Sequence, residues 1–253
     1  MSDQQTPIPV ESERINVSTA SGEMWIYCAR PAPGRRQGAE GRAVVVLQEA
    51  FGVNDHIQDV ARRFADHGYL AFAPDLFHRT GTGTLAYDQH GEAMALIGAL
   101  GPDAIVEDVQ AVLDHLARAE DIPPARTAVV GFCFGGRAAF TAATAVKGLA
   151  ATVVFYGPGI AAGPHAVLDR VADLDAPLML HVGSEDPTIP PAQVEAIDAA
   201  LAKSGIAYES YLYDAAGHAF ACDARPSMYR SGPARLAWER TYSFLDRLLP
   251  TVV

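Results

Sequence analysis

Two rhythms of hydrophobic positions alternate along this chain. Residues 43–47 (AVVVL) are a continuous, mostly β-branched run, the pattern of a central strand buried on both faces. The period then changes. Asn54 stands where an N-cap belongs, Ile57, Val60, Ala61, Phe64 and Ala65 follow at helical spacing, and Gly68 occupies the C′ position. Short strand-like runs at 69–73, 127–130, 151–156, 178–182 and 208–213 are separated by helical stretches at 85–99, 103–119, 135–146, 191–203 and 233–249. The stretch 103–119 carries Ile105, Val109, Val112, Leu113 and Leu116 on one stripe. Strands alternating with helices predict βαβ units and hence an α/β fold, a mainly parallel central sheet flanked by helices on both faces. Ahead of these units, residues 14–19 and 24–29 are β-like with a Ser21-Gly22 turn between them, which predicts a hairpin. The segment 31–42 (PAPGRRQGAEGR) reads as a loop. Residues 1–13 read as a disordered tail, and 14–253, with no internal repeat and no long linker, as a single domain.

Composition narrows the classes of function. The 253 residues include 19 Lys and Arg against 30 Asp and Glu, a formal charge of −11, with no Lys/Arg-rich run. Phosphate binding needs clustered cations, so no nucleic-acid partner is expected. No apolar run approaches the ~20 residues that span a bilayer. Residues 1–13 lack a basic and then apolar leader, so a cytoplasmic location without a membrane partner is expected. Three cysteines, Cys28, Cys133 and Cys222, are too few and too scattered for a disulfide framework, and none forms a C-x-x-C pair.

The chemistry concentrates at Gly131-Phe132-Cys133-Phe134-Gly135-Gly136, which fits G-x-S-x-G with Cys in place of Ser, between a predicted strand and a predicted helix. A sharp turn there would lift the Cys133 side chain clear of the sheet, and the flanking glycines would relieve the crowding. The helix N-terminus behind it favours a thiolate. The alternative is a small buried hydrophobe, as most free cysteines are, and that is the expectation for Cys28. On this scaffold an orienting acid and then a histidine follow the nucleophile, each on a loop after a strand. Asp186 follows the strand 178–182 and His218 follows the strand 208–213. Glu185 competes with Asp186, but the shorter side chain backed by Pro187 is the better holder of an imidazole. His181 lies inside an apolar strand and is expected to be a hydrogen-bonded core histidine. The remaining histidines show no ligand pattern, so no metal site is expected. Gly81-Thr82-Gly83 does not continue into G-x-G-x-x-G, so neither a dinucleotide nor any other cofactor is expected.

With these motifs in place, the sequence resembles the dienelactone hydrolase family of the α/β-hydrolase fold. Two further segments carry the resemblance: Gln48-Glu49-Ala50-Phe51-Gly52-Val53-Asn54, and Ala73-Pro74-Asp75-Leu76-Phe77 followed by Arg79. It runs from about residue 14 to residue 249. The resemblance implies hydrolysis of a small lactone or ester, the type activity being conversion of 4-carboxymethylenebut-2-en-4-olide to maleylacetate in aromatic degradation. It implies Cys133 as nucleophile, His218 as base and acid, and Asp186 as the group orienting His218. It further implies that Glu49 is held by an arginine, matched here by Arg79, and takes the thiol proton when substrate arrives, which would guard the thiol from oxidation. The backbone N–H groups of Ala50 and Phe134 are the natural oxyanion-hole pair, and Phe51 is expected to touch substrate. One departure stands out. The second substrate-binding arginine of the family falls four residues after the histidine, where this chain has Cys222, and Arg225 is the cation nearest in sequence. A less charged ester or lactone is then an open alternative. From a different class, a member that binds a small ligand or senses oxidation through Cys133 is the competing reading. A monomer or a small homo-oligomer is expected.

Overall fold

The computed structural model describes residues 10–32 and 41–251. Among them, eight strands form one sheet in the order β1-β2-β4-β3-β5-β6-β7-β8. These are β1 (Val10–Thr19), β2 (Gly22–Pro31), β3 (Ala43–Leu47), β4 (Leu70–Pro74), β5 (Thr127–Phe132), β6 (Ala151–Phe155), β7 (Leu178–Gly183) and β8 (Tyr208–Tyr213). The predicted hairpin is antiparallel, β2 pairs antiparallel with β4, and every pairing from β4 through β8 is parallel. This is the α/β-hydrolase architecture.

The continuous apolar run of β3 shows why the sheet is covered on both sides. Ala43, Val45 and Leu47 enter one core, while Val44 and Val46 enter the other. The strand's two-residue period therefore feeds two hydrophobic layers. One core is closed by α3 (Pro102–Ala119), α4 (Phe134–Ala145) and α5 (Pro191–Ser204), the other by α1 (Asp55–Asp66) and α6 (Ser231–Leu248). Helix α1 begins as the sequence predicts, with the Asn54 side chain accepting the Ile57 N–H at 3.1 Å. No described helix is long and apolar enough to cross a membrane.

Three boundaries differ from expectation. Strand β1 starts at Val10, so residues 10–13, assigned to a tail, instead pair with β2, Val10 opposite Pro31 and Glu13 opposite Cys28. Residues 1–9 lie outside the described residues, as do 33–40 of the expected 31–42 loop; Pro31 itself closes β2. The helix expected over 85–99 is α2 (His90–Ala99) alone. Tertiary contacts override helical spacing before it: the Leu85 N–H bonds to the Phe51 carbonyl (3.0 Å) and the Ala86 N–H to the Gln89 side chain (2.8 Å).

Candidate active site

Strand β5 ends and α4 begins within one residue, and that residue is Cys133, at φ 54°, ψ −119°. A non-glycine backbone in this region carries strain on the order of 1–3 kcal/mol. Its neighbours over-determine it. A Cβ at position 131 would collide with the Gly135 carbonyl, one at 135 with the Leu47 carbonyl, and one at 136 would lie 2.8 Å from the Phe155 carbonyl. The Cys133 N–H is tied to the Phe155 carbonyl (3.0 Å), and its own carbonyl accepts the Gly136 N–H (2.8 Å). The side chain is thus held at the sheet's carboxyl edge, at the N-terminus of α4.

The loops after β7 and β8 bring Asp186 and His218 to the same place. His218 Nε2 lies 3.0 Å from Cys133 Sγ, and His218 Nδ1 lies 2.8 Å from Asp186 Oδ2. Asp186 is itself oriented: its Oδ1 accepts the Thr188 N–H (2.8 Å) and the Thr188 hydroxyl (2.6 Å). Sequence reading passed over Thr188, although Asp followed two residues later by Thr is a local side-chain-to-backbone turn signal. Burial disfavours charge on His218, but the Cys133 charge and the Asp186 hydrogen bond outweigh it, and its pKa is pushed up to about 10. Burial would raise Asp186, yet its bonds to His218 and Thr188 hold it below the ordinary carboxylate value. The array can accept a thiol proton and keep the resulting imidazolium paired.

Glu49 follows β3 by two residues and is fully buried. Its expected partner is not the one it has. Arg79 turns away to Asp108 (2.6 and 2.9 Å), which also binds His78, whereas Arg225 Nη2 donates to both Glu49 oxygens (3.1 and 3.2 Å). Asp108 is buried on α3, and a buried carboxylate requires a cation. Asp108 interrupts the apolar stripe of that helix, which is the sequence signal that would have revealed the pair. Arg225 is brought back by the turn after His218, where the Arg225 N–H bonds to the Cys222 carbonyl (3.1 Å). The thiol of Cys133 is engaged with His218 and not with Glu49, whose carboxylate is held by Arg225.

Phe51 has aromatic and cationic neighbours. It lies buried edge-on against Tyr87 (centroids 4.9 Å apart) below the Arg225 guanidinium, outside the wall of one cavity that opens on Cys133. That cavity, about 240 Å³, is walled by Met94, Ile97, Phe134, Pro158 and Ala162, with Arg137 of α4 as its cation. Ala50 and Phe134 belong to neighbouring strand ends, since Leu47 of β3 is paired with Gly131 of β5. The Phe134 N–H, first in its helix, has no partner within it. Glu49, His56 and Cys222 also converge, each offering a metal-ligand atom within 4.8 Å of the others, which their spacing in sequence did not suggest. The Arg225 charge already occupies the Glu49 carboxylate in that cluster. His181 and Cys28 are core residues, as expected; His181 bonds to the Tyr213 hydroxyl (2.8 Å) and the Thr241 hydroxyl (3.0 Å).

Known proteins share this arrangement of chain. The model of the dienelactone hydrolase family matches residues 30–249. A protein of Methylorubrum extorquens named "Putative carboxymethylenebutenolidase" is 34% identical over 89% of this chain and 77% of its own length. The "Carboxymethylenebutenolidase" of Pseudomonas putida is 32% identical over 83% of this chain and 87% of its own. The crystal structure of a "Putative Dienelactone Hydrolase" from Klebsiella pneumoniae superposes with a TM-score of 0.86 at 29% identity, covering 94% of this chain and 99% of that one. With the family model spanning all of the sheet from β3 onward and both loops that meet at Cys133, this chain belongs to the dienelactone hydrolase family.

Proposed function

We propose that this protein hydrolyses a lactone or an activated carboxylic ester through an acyl-thioenzyme on Cys133. The observation that carries this reading is the unbroken chain Cys133 Sγ, His218, Asp186 at 3.0 and 2.8 Å, set at a strained strand-to-helix turn. With its Nδ1–H donated to Asp186, His218 presents Nε2 to the thiol and takes its proton. The thiolate attacks the carbonyl carbon. The Ala50 and Phe134 N–H groups stabilise the oxyanion, and collapse expels the alkoxide or enolate, which takes the proton from His218. Water, deprotonated by His218, then adds to the thioester and releases the acid and the thiol.

A thiolate leaves a tetrahedral adduct more readily than an alkoxide does, so a good leaving group is needed for the forward step. Enol lactones and aryl esters satisfy this, whereas alkyl esters and amides do not. Both carboxymethylenebutenolidase relatives point to the enol lactone, 4-carboxymethylenebut-2-en-4-olide, as the first substrate to try. Product release from that lactone and from a neutral aryl ester, compared in the parent protein and in Cys133→Ala and Cys133→Ser, tests the reading. Loss of turnover in Cys133→Ala is expected; turnover that survives it rules the mechanism out.

A further inference from the structure

We propose that Arg137 binds an anionic group of the substrate, so that the molecule hydrolysed carries a carboxylate on an apolar body about one helical turn from the carbonyl that Cys133 attacks. The inference rests on the hydrolase reading above and names its substrate class.

Arg137 is the lone charge in α4, whose sequence is FGGRAAFTAATA, and it is 5% exposed. A buried guanidinium demands an anion or several carbonyls. Although the half-buried Arg126, Arg170 and Arg240 show no ion pair among the described residues, four others meet this demand: Arg30 is paired with Glu120, Arg79 with Asp108, Arg225 with Glu49, and Arg42 with Asp246 and three carbonyls. Arg137 does not. Among the described residues no carboxylate lies within ion-pairing distance of it and no carbonyl accepts from its guanidinium. Its neighbours are the Phe134 ring, 5.4 Å from Cζ to the centroid, and the backbone at Gly159. Burial presses its pKa below the ordinary arginine value, with the charge of Cys133 as the opposing influence.

The charge faces the reacting atom's own cavity. Arg137 and Cys133 line the same space, and the Arg137 N–H bonds to the Cys133 carbonyl (3.3 Å), so the two residues are one turn apart. That turn rises about 5.4 Å. Helical side chains lean toward the N-terminus, which here means toward Cys133. Apart from His165, whose Nε2 is engaged with the Gly98 carbonyl (3.0 Å), the remaining walls are apolar, which suits a hydrocarbon body bearing one charge. Arg79 and Arg225, the cations suggested by the family resemblance, are neutralised by Asp108 and Glu49 and do not line this cavity.

A matched pair of esters tests this: 3-acetoxybenzoate, which carries the carboxylate, and its neutral methyl ester. In the parent protein kcat/KM should favour the carboxylate. In Arg137→Gln the ratio of the two should fall about 10- to 100-fold, the size of a lost charge-assisted hydrogen bond, chiefly through KM, and Arg137→Lys should recover part of it. Equal losses on both esters, with the ratio unmoved, would make Arg137 a partner of the Cys133 thiolate or a packing residue and overturn the proposal. A second measurement needs neither turnover nor a variant: protection of Cys133 in the parent protein from iodoacetamide. Protection by 3-hydroxybenzoate but not by its methyl ester supports the carboxylate site, even if no ester proves to be a substrate. Equal protection by both, or protection by phenyl phosphate alone, overturns it.

Discussion

Two histidines near the ends of adjacent strands show how one side chain is given opposite characters. His181 is buried inside β7 and bonds to two neutral hydroxyls, Tyr213 and Thr241. Burial, reinforced by the nearby Arg240 charge, lowers its pKa to about 3. His218, on the loop after β8, is nearly as enclosed, yet it lies between a carboxylate and a thiol and is raised to about 10. Enclosure is common to both. What separates them is whether the ring's partners carry charge, and only the second arrangement can hold a proton in transit.

The largest expected effect comes from removing the charged partners' function. His218→Gln should lower ester turnover by about 10³-fold or more with the fold retained, as near-ultraviolet circular dichroism would show. A variant of undiminished rate would end the comparison at once. Asp186→Asn should cost less, about 10²-fold in kcat, because the ring can then adopt the wrong tautomer. Next in size, His181→Phe removes two buried hydrogen bonds, those to the Tyr213 and Thr241 hydroxyls, and should lower stability by about 1–3 kcal/mol in urea unfolding, while turnover changes much less than in either loop variant. Loss of activity as complete as in His218→Gln would mean that His181 is more than a core residue.

The smallest effect is in pH dependence, and its sign differs between the two. For His218 the folded pKa lies above the unfolded value. Its contribution to stability is therefore present below about pH 6.5 and is lost as pH rises toward about 10. For His181 the folded pKa lies below the unfolded value, so the native state is penalised progressively as pH falls from about 6.5 toward about 3. Across pH 4–9 the unfolding free energy of the parent should show both slopes, and His181→Phe and His218→Gln should each lose one. The same slope in all three proteins would show that other groups set the dependence.

Much of this was legible from residue order. The βα alternation, the Asn54 cap and the Gly131 to Gly136 turn are local patterns, and local patterns survive in sequence. Cys133, Asp186 and His218 could be read because the fold fixes their order along the chain. Pairings between loops could not be. Arg79 and Arg225 are both loop cations, and which of them reaches Glu49 depends on where Asp108 of α3 lies and on how the turn after His218 closes. Two signals were nevertheless present, each a charge at an apolar position: Asp108 within the stripe of α3, and Arg137 within the small-residue helix α4. Thr188 was missed because its role is to hold a residue that itself holds another.

The glycines of the turn have a consequence for how the protein could diversify. Because the backbone of α4 rests against the carbonyls of β3 and β6, positions 131, 135 and 136 have no room for even a methyl group. A complete substitution scan should show them as sharp minima. Across the cavity, Met94, Ile97 and Ala162 carry ordinary side chains outside the sheet, on α2 and the segment after β6. Variation there reshapes the chamber without moving the sulfur. Laboratory selection for new substrates should therefore gather its mutations on that far wall and leave the turn untouched.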